Sequence, residues 1–412
     1  MIPNEKARID LKRRYRTASF WKSSFLLATV LAVGFLILLI LNIVNGAFGY
    51  VLIKNSIEPE SLSTGQRQLE ELDRRDLIAL LEEHLSKGLL RRYEYEQPLS
   101  SRSESDLLAL VYQRIVSPEI IKSWSLSESL FHKGEIRDWW RTQEPAASLE
   151  FRAWLTPRFL VTPQSPDPQF AGIRTALLGS MWMIVLTLLF AFPVGVASAI
   201  YLEEYAKDTW LTKIIRVNIY NLSGVPSIIY GLLGLALFVR LLGPLTSGAL
   251  FAVNEASSAN GRTILSAGLT LGLLILPIII INSQEAIRAV PQSLRDSSYG
   301  LGATKWQTIY HHVIPASFDR ILTGSILSIS RAVGETAPLV VVGASTFVSV
   351  DPTHVFSKFT TLPIQIYQWT ARPQAEFRNI AAAAIIALLI LLLSMNASAV
   401  VAREKIRRKR RG

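Results

Sequence analysis

The stretch RDSSYGLGATKWQTIYHHVIP, residues 295–315, lies between two long apolar runs, and its spacing decides how the rest of the chain is read. An acid at Asp296 is followed by two small residues, Ser297 and Ser298. Gly302 and Ala303 come next, and the segment closes on Ile314 and Pro315. Residues 296–312 read as two short helices joined around Gly300 and Gly302, because glycine permits the bend and a close backbone approach. Pro315 is expected to open the following helix, a position where its missing N–H costs little. By itself the pattern also suits an interfacial loop with no partner, since glycine and proline punctuate many loops. The flanking sequence decides between the two.

Half of the 412 residues are apolar and the mean hydropathy is +0.31. Several apolar runs reach roughly 20 residues, enough to cross a hydrocarbon core of ~30 Å, so this is a polytopic membrane protein. The absence of cysteine excludes disulfides and thiolate metal sites. The net charge of +11 is unevenly placed: residues 1–22 hold seven Lys/Arg against two acids, and residues 403–412 hold seven against one. Residues 51–172, in contrast, hold 15 Lys/Arg against 19 acids. Basic ends beside apolar spans obey the positive-inside rule, and no nucleic-acid partner is needed to explain them.

In chain order, residues 1–23 form a basic cytoplasmic start and 24–49 hold the first transmembrane helix, with its apolar core from Phe25 to Val44. That core exceeds the roughly 7–15 residues of a signal peptide and no small-residue cleavage site follows, so a signal anchor is expected. Residues 50–172 are read as a mainly helical extracytoplasmic insertion. Gln66 to Arg92 repeats Leu and Ile at three- and four-residue spacing, and a second amphipathic stretch starts at Ser105. Proline clusters in VTPQSPDPQF, 161–170, close it. A five-helix core follows over 173–402, with spans expected at 174–201, 215–241, 264–281, 318–343 and 380–401, before the basic tail 403–412. Six spans return the C-terminus to the side of the N-terminus. The same parity puts the loop 284–316 in the cytoplasm and the acidic insertion outside, in agreement with the charge. Between the last two spans, Ile364, Ile366, Tyr367 and Trp369 suit a short interfacial helix, with a re-entrant or partner-facing element as the alternative.

The spacing in residues 296–315 resembles the EAA loop of ABC-transporter permeases, whose pattern is Glu-Ala-Ala, three residues, Gly, nine residues, then Ile-x-Leu-Pro. Here Asp296 replaces Glu, Ser297 and Ser298 replace both alanines, and His312 stands where Ile is usual. Several other stretches are similar to phosphate-specific ABC-transporter permeases of the PstA type, in that family's order. They are FPVGVASAIYLEEYA (192–206), NLSGVPSIIYGLLGLALF (221–238), SRAVGETAPLVVVG (330–343), TTLPIQIYQW (360–369) and MNASAV (395–400). The likeness covers residues 172–405 and leaves out the long insertion. A paired PstC-type permease shares the GET and EAA features, but the LPIQIYQW segment favours PstA.

The resemblance implies an all-α fold of the MetI-like importer type with six transmembrane helices, and a heterodimer with a PstC-like permease in the inner membrane. It also implies a PstB-like ATPase pair and an external PstS-like phosphate-binding protein. The 296–314 segment would be the coupling helix that docks in the ATPase, through Asp296, Ser297, Ser298, Gly302, Ala303, Ile314 and Pro315. The chain itself would be no enzyme and hold no cofactor, with ATP and Mg on the partners. GLGATKW, 300–306, is not a Walker loop, because Lys305 follows Thr304 and precedes Trp306.

For the substrate pathway the informative pair is Arg331 and Glu335, charged residues inside an expected span, where function is the default reading. Their i, i+4 spacing places them on one helix face, and a guanidinium offers a planar fork of donors to an oxyanion. Thr336 can add a hydroxyl, and Arg288 can attract anions at the inner mouth. A structural ion pair that locks two helices is the competing role for Arg331 and Glu335, and topogenic charge is the competing role for Arg288. His311 and His312 are adjacent, so they lack the i, i+4 face of a helical zinc pair, and no metal site is expected. The sequence therefore predicts one permease half of a phosphate importer. The alternatives are a permease for another oxyanion such as molybdate, sulfate or phosphonate, or a membrane-anchored sensor or interaction protein built on the insertion.

Overall fold

The computed structural model describes residues 5–57, 59–62, 69–96, 98–251, 260–345, 347–348 and 350–411. The chain forms two compact units, 1–153 and 154–412. The first opens with α1 (Glu5–Ala47), one helix through both the basic start and the first apolar run. No part of its apolar window is covered by protein, as suits a helix whose solvent is lipid. The chain then passes directly into β1 (Phe48–Lys54), followed by α2 (Arg74–His84), α3 (Lys87–Glu96), α4 (Glu104–Val111) and β2 (Glu119–Ser123). Helices α5 (Leu126–Phe131) and α6 (Lys133–Gln143) and strand β3 (Ser148–Ala153) complete the unit.

A three-stranded antiparallel sheet in the order β2-β1-β3 therefore stands inside the segment expected to be mainly helical. Val51 lies opposite Ser123 on one side and Glu150 on the other. Leu52 on β1 packs with Trp124, Ile136 and Ala147, while Leu77, Leu81, Leu107 and Val111 form a separate helical core. The amphipathic reading of residues 66–92 is realised as α2 and α3, separated at Leu85–Ser86. Its first residues, 66–68, lie outside the described set.

The second unit begins before the expected boundary at 173, with the short α7 (Pro157–Val161). The long α8 (Arg174–Ile200) ends in a π-type turn, Tyr201–Tyr205. Next come α9 (Trp210–Ser223), α10 (Ser227–Gly234), α11 (Gly243–Thr246) and α12 (Ile264–Arg288). The segment read as the coupling loop holds α13 (Gln292–Gly300) and α14 (Lys305–Thr308), and α15 (Ile314–Gly334) and α16 (Ala337–Val342) follow. Helices α17 (Leu362–Thr370) and α18 (Ala375–Arg411) close the chain. Stretches within α1, α8, α12 and α18 are long and apolar enough to cross a membrane alone. Asp319, Arg320 and Arg331 keep α15 out of that group.

Helix α12 is the centre of this unit, with 67% of its apolar window buried. Its small residues admit α8: Gly268 sits under Leu186, Gly272 under Phe190, and Thr187 Oγ1 donates to the Gly268 carbonyl at 3.1 Å. The expected third span is not one helix. At Gly224-Val225-Pro226 it bends by 107°, so α9 and α10 run in different directions. Pro226 has no N–H to continue the ladder, and Tyr230 Oη donates to the carbonyl of Leu222 at 2.7 Å, satisfying a group the break exposes.

The fifth span is also broken, at Glu335 and Thr336, where Glu335 has left helical geometry with ψ 119°. Residues 314–334 and 337–342 are thus two helices where one was expected. The two broken spans meet through Gly231 of α10, where a Cβ would fall 2.7 Å from Pro338 Cα of α16. Helix α17 is no surface helix either. Leu362, Ile364, Gln365 and Trp369 are buried, Gln365 Nε2 donates to the Gly172 carbonyl at 2.9 Å, and the Leu362 N–H donates to Ser180 Oγ at 3.0 Å. Of its aromatic rings only Tyr367 is exposed.

Because the Gly231 contact is with backbone, Gly231→Ala must push α10 and α16 apart. An overpacking cost of about 1–3 kcal/mol is expected, visible as a lowered melting temperature of the detergent-solubilised protein. Gly243→Ala, with open space around it, should leave the melting temperature unchanged.

Candidate coupling and translocation site

The hairpin of α13 and α14 has the two-helix form expected of residues 296–312. It turns at Gly302, whose φ of +81° lies in the left-handed region that favours glycine. Thr304 then starts α14 with a capping box shared with Gln307. Inside the hairpin, Ser298 and Thr308 hydroxyls meet at 2.9 Å and both residues are buried. Ser298 is thus an internal strut and not a contact surface.

Asp296 and Ser297 lie on the opposite, exposed side, where Asp296 Oδ1 accepts from Gln292 Nε2 at 3.0 Å. Gly302 is exposed and Ala303, Ile314 and Pro315 are half-buried. Pro315 stands in the first turn of α15, as expected, although that helix runs on from α14 without a gap. The chain is helical from Lys305 onward, and a π-type turn at Ile309–Val313, with the Ile314 N–H donating to the Ile309 carbonyl, relieves the clash a proline ring makes inside an α-helix.

Large apolar side chains are exposed on this polar segment. Leu301 is 90% exposed, and Trp306 and Tyr310 lie bare with their rings 5.8 Å apart. Exposed apolar groups on a polar segment are of the kind that partner surfaces use.

The other side of the hairpin is fastened by a cluster that sequence reasoning passed over. Arg295 is 9% exposed, and its guanidinium donates from Nη2 to Glu204 Oε1 at 2.8 Å and from Nε at 3.2 Å. Its remaining donors reach the Val290 carbonyl at 2.7 Å and the Ile287 carbonyl at 3.0 Å, closing the C-terminal end of α12. Beside it, Glu203 accepts from Arg216 Nη1 at 2.8 Å, Arg288 Nη2 at 2.9 Å and Gln284 Nε2 at 3.0 Å. Arg288 therefore belongs to this collar and is not brought together with Arg331. Tyr205 lies under the ammonium group of Lys305, 5.2 Å from ring centre to Nζ. The signal was present in YLEEYA, 201–206, where two acids end an apolar span, but the partners are far away in sequence.

Arg331 sits 17 residues into α15, ~25 Å from its start at 1.5 Å per residue, well separated from the hairpin. Its Nε lies 3.4 Å from Glu335 Oε1, so the pair expected from spacing forms. The carboxylate, however, hangs from the helix break and not from the same helix face. Arg331 is 52% exposed and Glu335 20% exposed, so the guanidinium keeps donors free for another group. Thr336 is half-buried at the start of α16, and its side chain caps nothing.

Residues 191–408 match the family model described as the binding-protein-dependent transport system inner membrane component. The chain belongs to that family. This permease is 33% identical over 251 residues to the phosphate transport system permease protein PstA of Yersinia pestis, a match covering 60% of this chain and 78% of that one. It is 35% identical over 234 residues to PstA of Mycobacterium leprae, covering 56% and 70%. It is also 30% identical over 254 residues to the probable ABC transporter permease protein YqgI of Bacillus subtilis (strain 168), covering 58% and 81%. The likeness to PstA-type permeases read from the sequence thus holds. Among solved structures, the inward-facing MetNI methionine ABC transporter is similar at 15% identity with a TM-score of 0.42, over 59% of this chain and 99% of that one. The permease is an all-α membrane protein, and the small sheet is confined to its first unit.

Nothing lies within 4 Å of a Cβ at Gly302, so a side chain there is opposed by backbone strain alone. Gly302→Val should destabilise the hairpin by about 1–3 kcal/mol, read as faster amide exchange across α13 and α14 with membrane insertion intact. Gly300→Ala, at a helical position with open space, should slow that exchange.

Proposed function

We propose that this permease forms one half of the translocation pathway of an ATP-driven inorganic phosphate importer and takes its motion from an ATPase through the 292–313 hairpin. The observation that carries the reading is the hairpin itself: bare Leu301, Trp306 and Tyr310 on one side, and a buried ionic attachment to the spans on the other. The PstA relatives supply the substrate class, since both are named as phosphate transport permeases. Partners would be a PstC-like permease, a PstB-like ATPase pair and a PstS-like external binding protein, with ATP and Mg held by the ATPases. Both basic termini and the hairpin would face the cytoplasm, and residues 50–172 the outside, as the charge distribution supports.

At the break in the fifth span, Arg331 offers its planar donors to the phosphate oxygens. Glu335 competes for the same guanidinium, which keeps the anion from being held too tightly to leave. The helix breaks suit such a path, because irregular backbone at membrane depth is tolerated where protein or a water-filled cavity surrounds it. Rocking of the spans then exposes the pair first to one side and then to the other.

In the native complex, Arg331→Ala should lower uptake of labelled phosphate at least tenfold while the partner subunits still copurify. Glu335→Gln should slow release and lower turnover more than apparent affinity. Wild-type uptake in both variants would remove the pair from the pathway. Competition by unlabelled molybdate, sulfate or phosphonate, measured in the same assay, tests the choice of phosphate.

A further inference from the structure

Two neighbouring carboxylates at the end of α8 divide their ion pairs between the hairpin on one side and α9 and α12 on the other. Successive residues on a helix point about 100° apart, and here the π-type turn Tyr201–Tyr205 carries the pair. Glu204 turns to the hairpin and takes Arg295. Glu203 turns to the bundle and takes Arg216 of α9 together with Gln284 and Arg288 of α12. Tyr205 adds a second hold on the hairpin, through Lys305. Beneath the charges lies an apolar layer that includes Ala199, Leu202, Ile287, Val290, Val313 and Ile321.

We propose that Glu203 and Glu204 are positioning residues that transmit the movement of the coupling hairpin to the broken spans, an inference that rests on the coupling role proposed above. The side chains of Glu204 and Arg295 are only 7% and 11% exposed. A pair at that depth adds little stability over an apolar isostere, but separating its members strands a desolvated charge. The hairpin therefore cannot slide over α8 without a large penalty, so a push on it moves α8. Through Glu203 and Arg216 the same displacement reaches α9. Beyond its 107° bend, α10 is in backbone contact with α16 at Gly231 and Pro338, just past Glu335. The contact path from hairpin to the Arg331–Glu335 pair is continuous, and its first link is electrostatic.

The test uses the complex purified from native membranes and reconstituted in vesicles, with ATP hydrolysis and phosphate uptake measured together. Glu204→Gln and Glu203→Gln are each expected to keep hydrolysis within about twofold of wild type while phosphate moved per ATP falls at least tenfold. Glu204→Asp, which keeps the charge, should retain a substantial part of that ratio, which a role in packing alone would not give. An unchanged ratio in both glutamine variants, or equal loss of uptake and hydrolysis, overturns the proposal. Failure of both Glu204→Gln and Glu204→Asp to assemble overturns it too, by making the carboxylate a folding element. A Trp306→Cys complex, otherwise wild type, is tested separately for cross-linking to the ATPase. A cross-link with an unchanged ratio rejects the transmission role and leaves the coupling surface standing, whereas no cross-link rejects the coupling surface itself.

Discussion

In hydrocarbon every peptide group has to find its partner within the protein, yet this permease interrupts two of its spans. The helices that follow the two interruptions, α10 and α16, pack against each other. The bend at Gly224-Val225-Pro226 sends α10 across to α16, where Gly231 brings the two backbones into contact. Tyr230 returns a hydroxyl to the Leu222 carbonyl, and Gly234 packs on Thr270 of the central helix α12. The α10 side of the bend is thereby packed on α12 and α16, while Gly224 and Pro226 themselves stay exposed on this chain. The Arg331–Glu335 pair stands at one of these interruptions, where a carboxylate freed from the helix ladder can approach the guanidinium from outside the helix face.

Features governed by local composition were legible in the sequence. The apolar runs of α1, α8, α12 and α18 announce themselves because a stretch of ~20 apolar residues has few other uses. Gly302 was equally readable, since a turn between two short helices demands a residue that tolerates positive φ. The breaks were harder. Gly224 and Pro226 are helix breakers by chemistry, but in membrane helices such residues are often absorbed without a bend, and only the contact with α16 decides the outcome. The interruption at Glu335 is flanked by Gly334 and by Pro338, which fits the first turn of α16, but membrane helices often absorb such residues without a break.

The sheet in the first unit escaped for a different reason. Strand β1 follows α1 without a turn and straddles the expected boundary at 49–50, so no break announces it, and its pairing partners β2 and β3 lie some 70 to 100 residues downstream. The ionic cluster has the same difficulty on a larger scale. Glu203 is 81 residues from Gln284 and 85 from Arg288, and Glu204 is 91 from Arg295. Arginines near span ends satisfy the positive-inside rule whether or not they find acids. Their charge alone therefore cannot separate Arg288, which completes the collar, from a topogenic residue. Ser298 shows the same limit within the EAA-like motif, where membership of the pattern says nothing about which side of the helix faces a partner.

Two of the ion pairs of this unit, Arg295–Glu204 and Arg331–Glu335, differ in the property that matters for a machine. Arg295 and Glu204 are almost fully enclosed, and Arg295 is held further by two backbone carbonyls. Every donor it would lose on moving is one that water cannot easily replace, which favours motion as a single body with its surroundings. Arg331 and Glu335 are joined by one contact at 3.4 Å, with half of the arginine uncovered. Such a pair holds little energy in its closed form, and an arriving oxyanion can take over the guanidinium while Glu335 is rehydrated. Rigidity at the hairpin and looseness at the span break are thus arranged by burial, with the same two residue types used at both ends. A permease built the other way round would absorb the push in a yielding joint and grip the anion in an unyielding one.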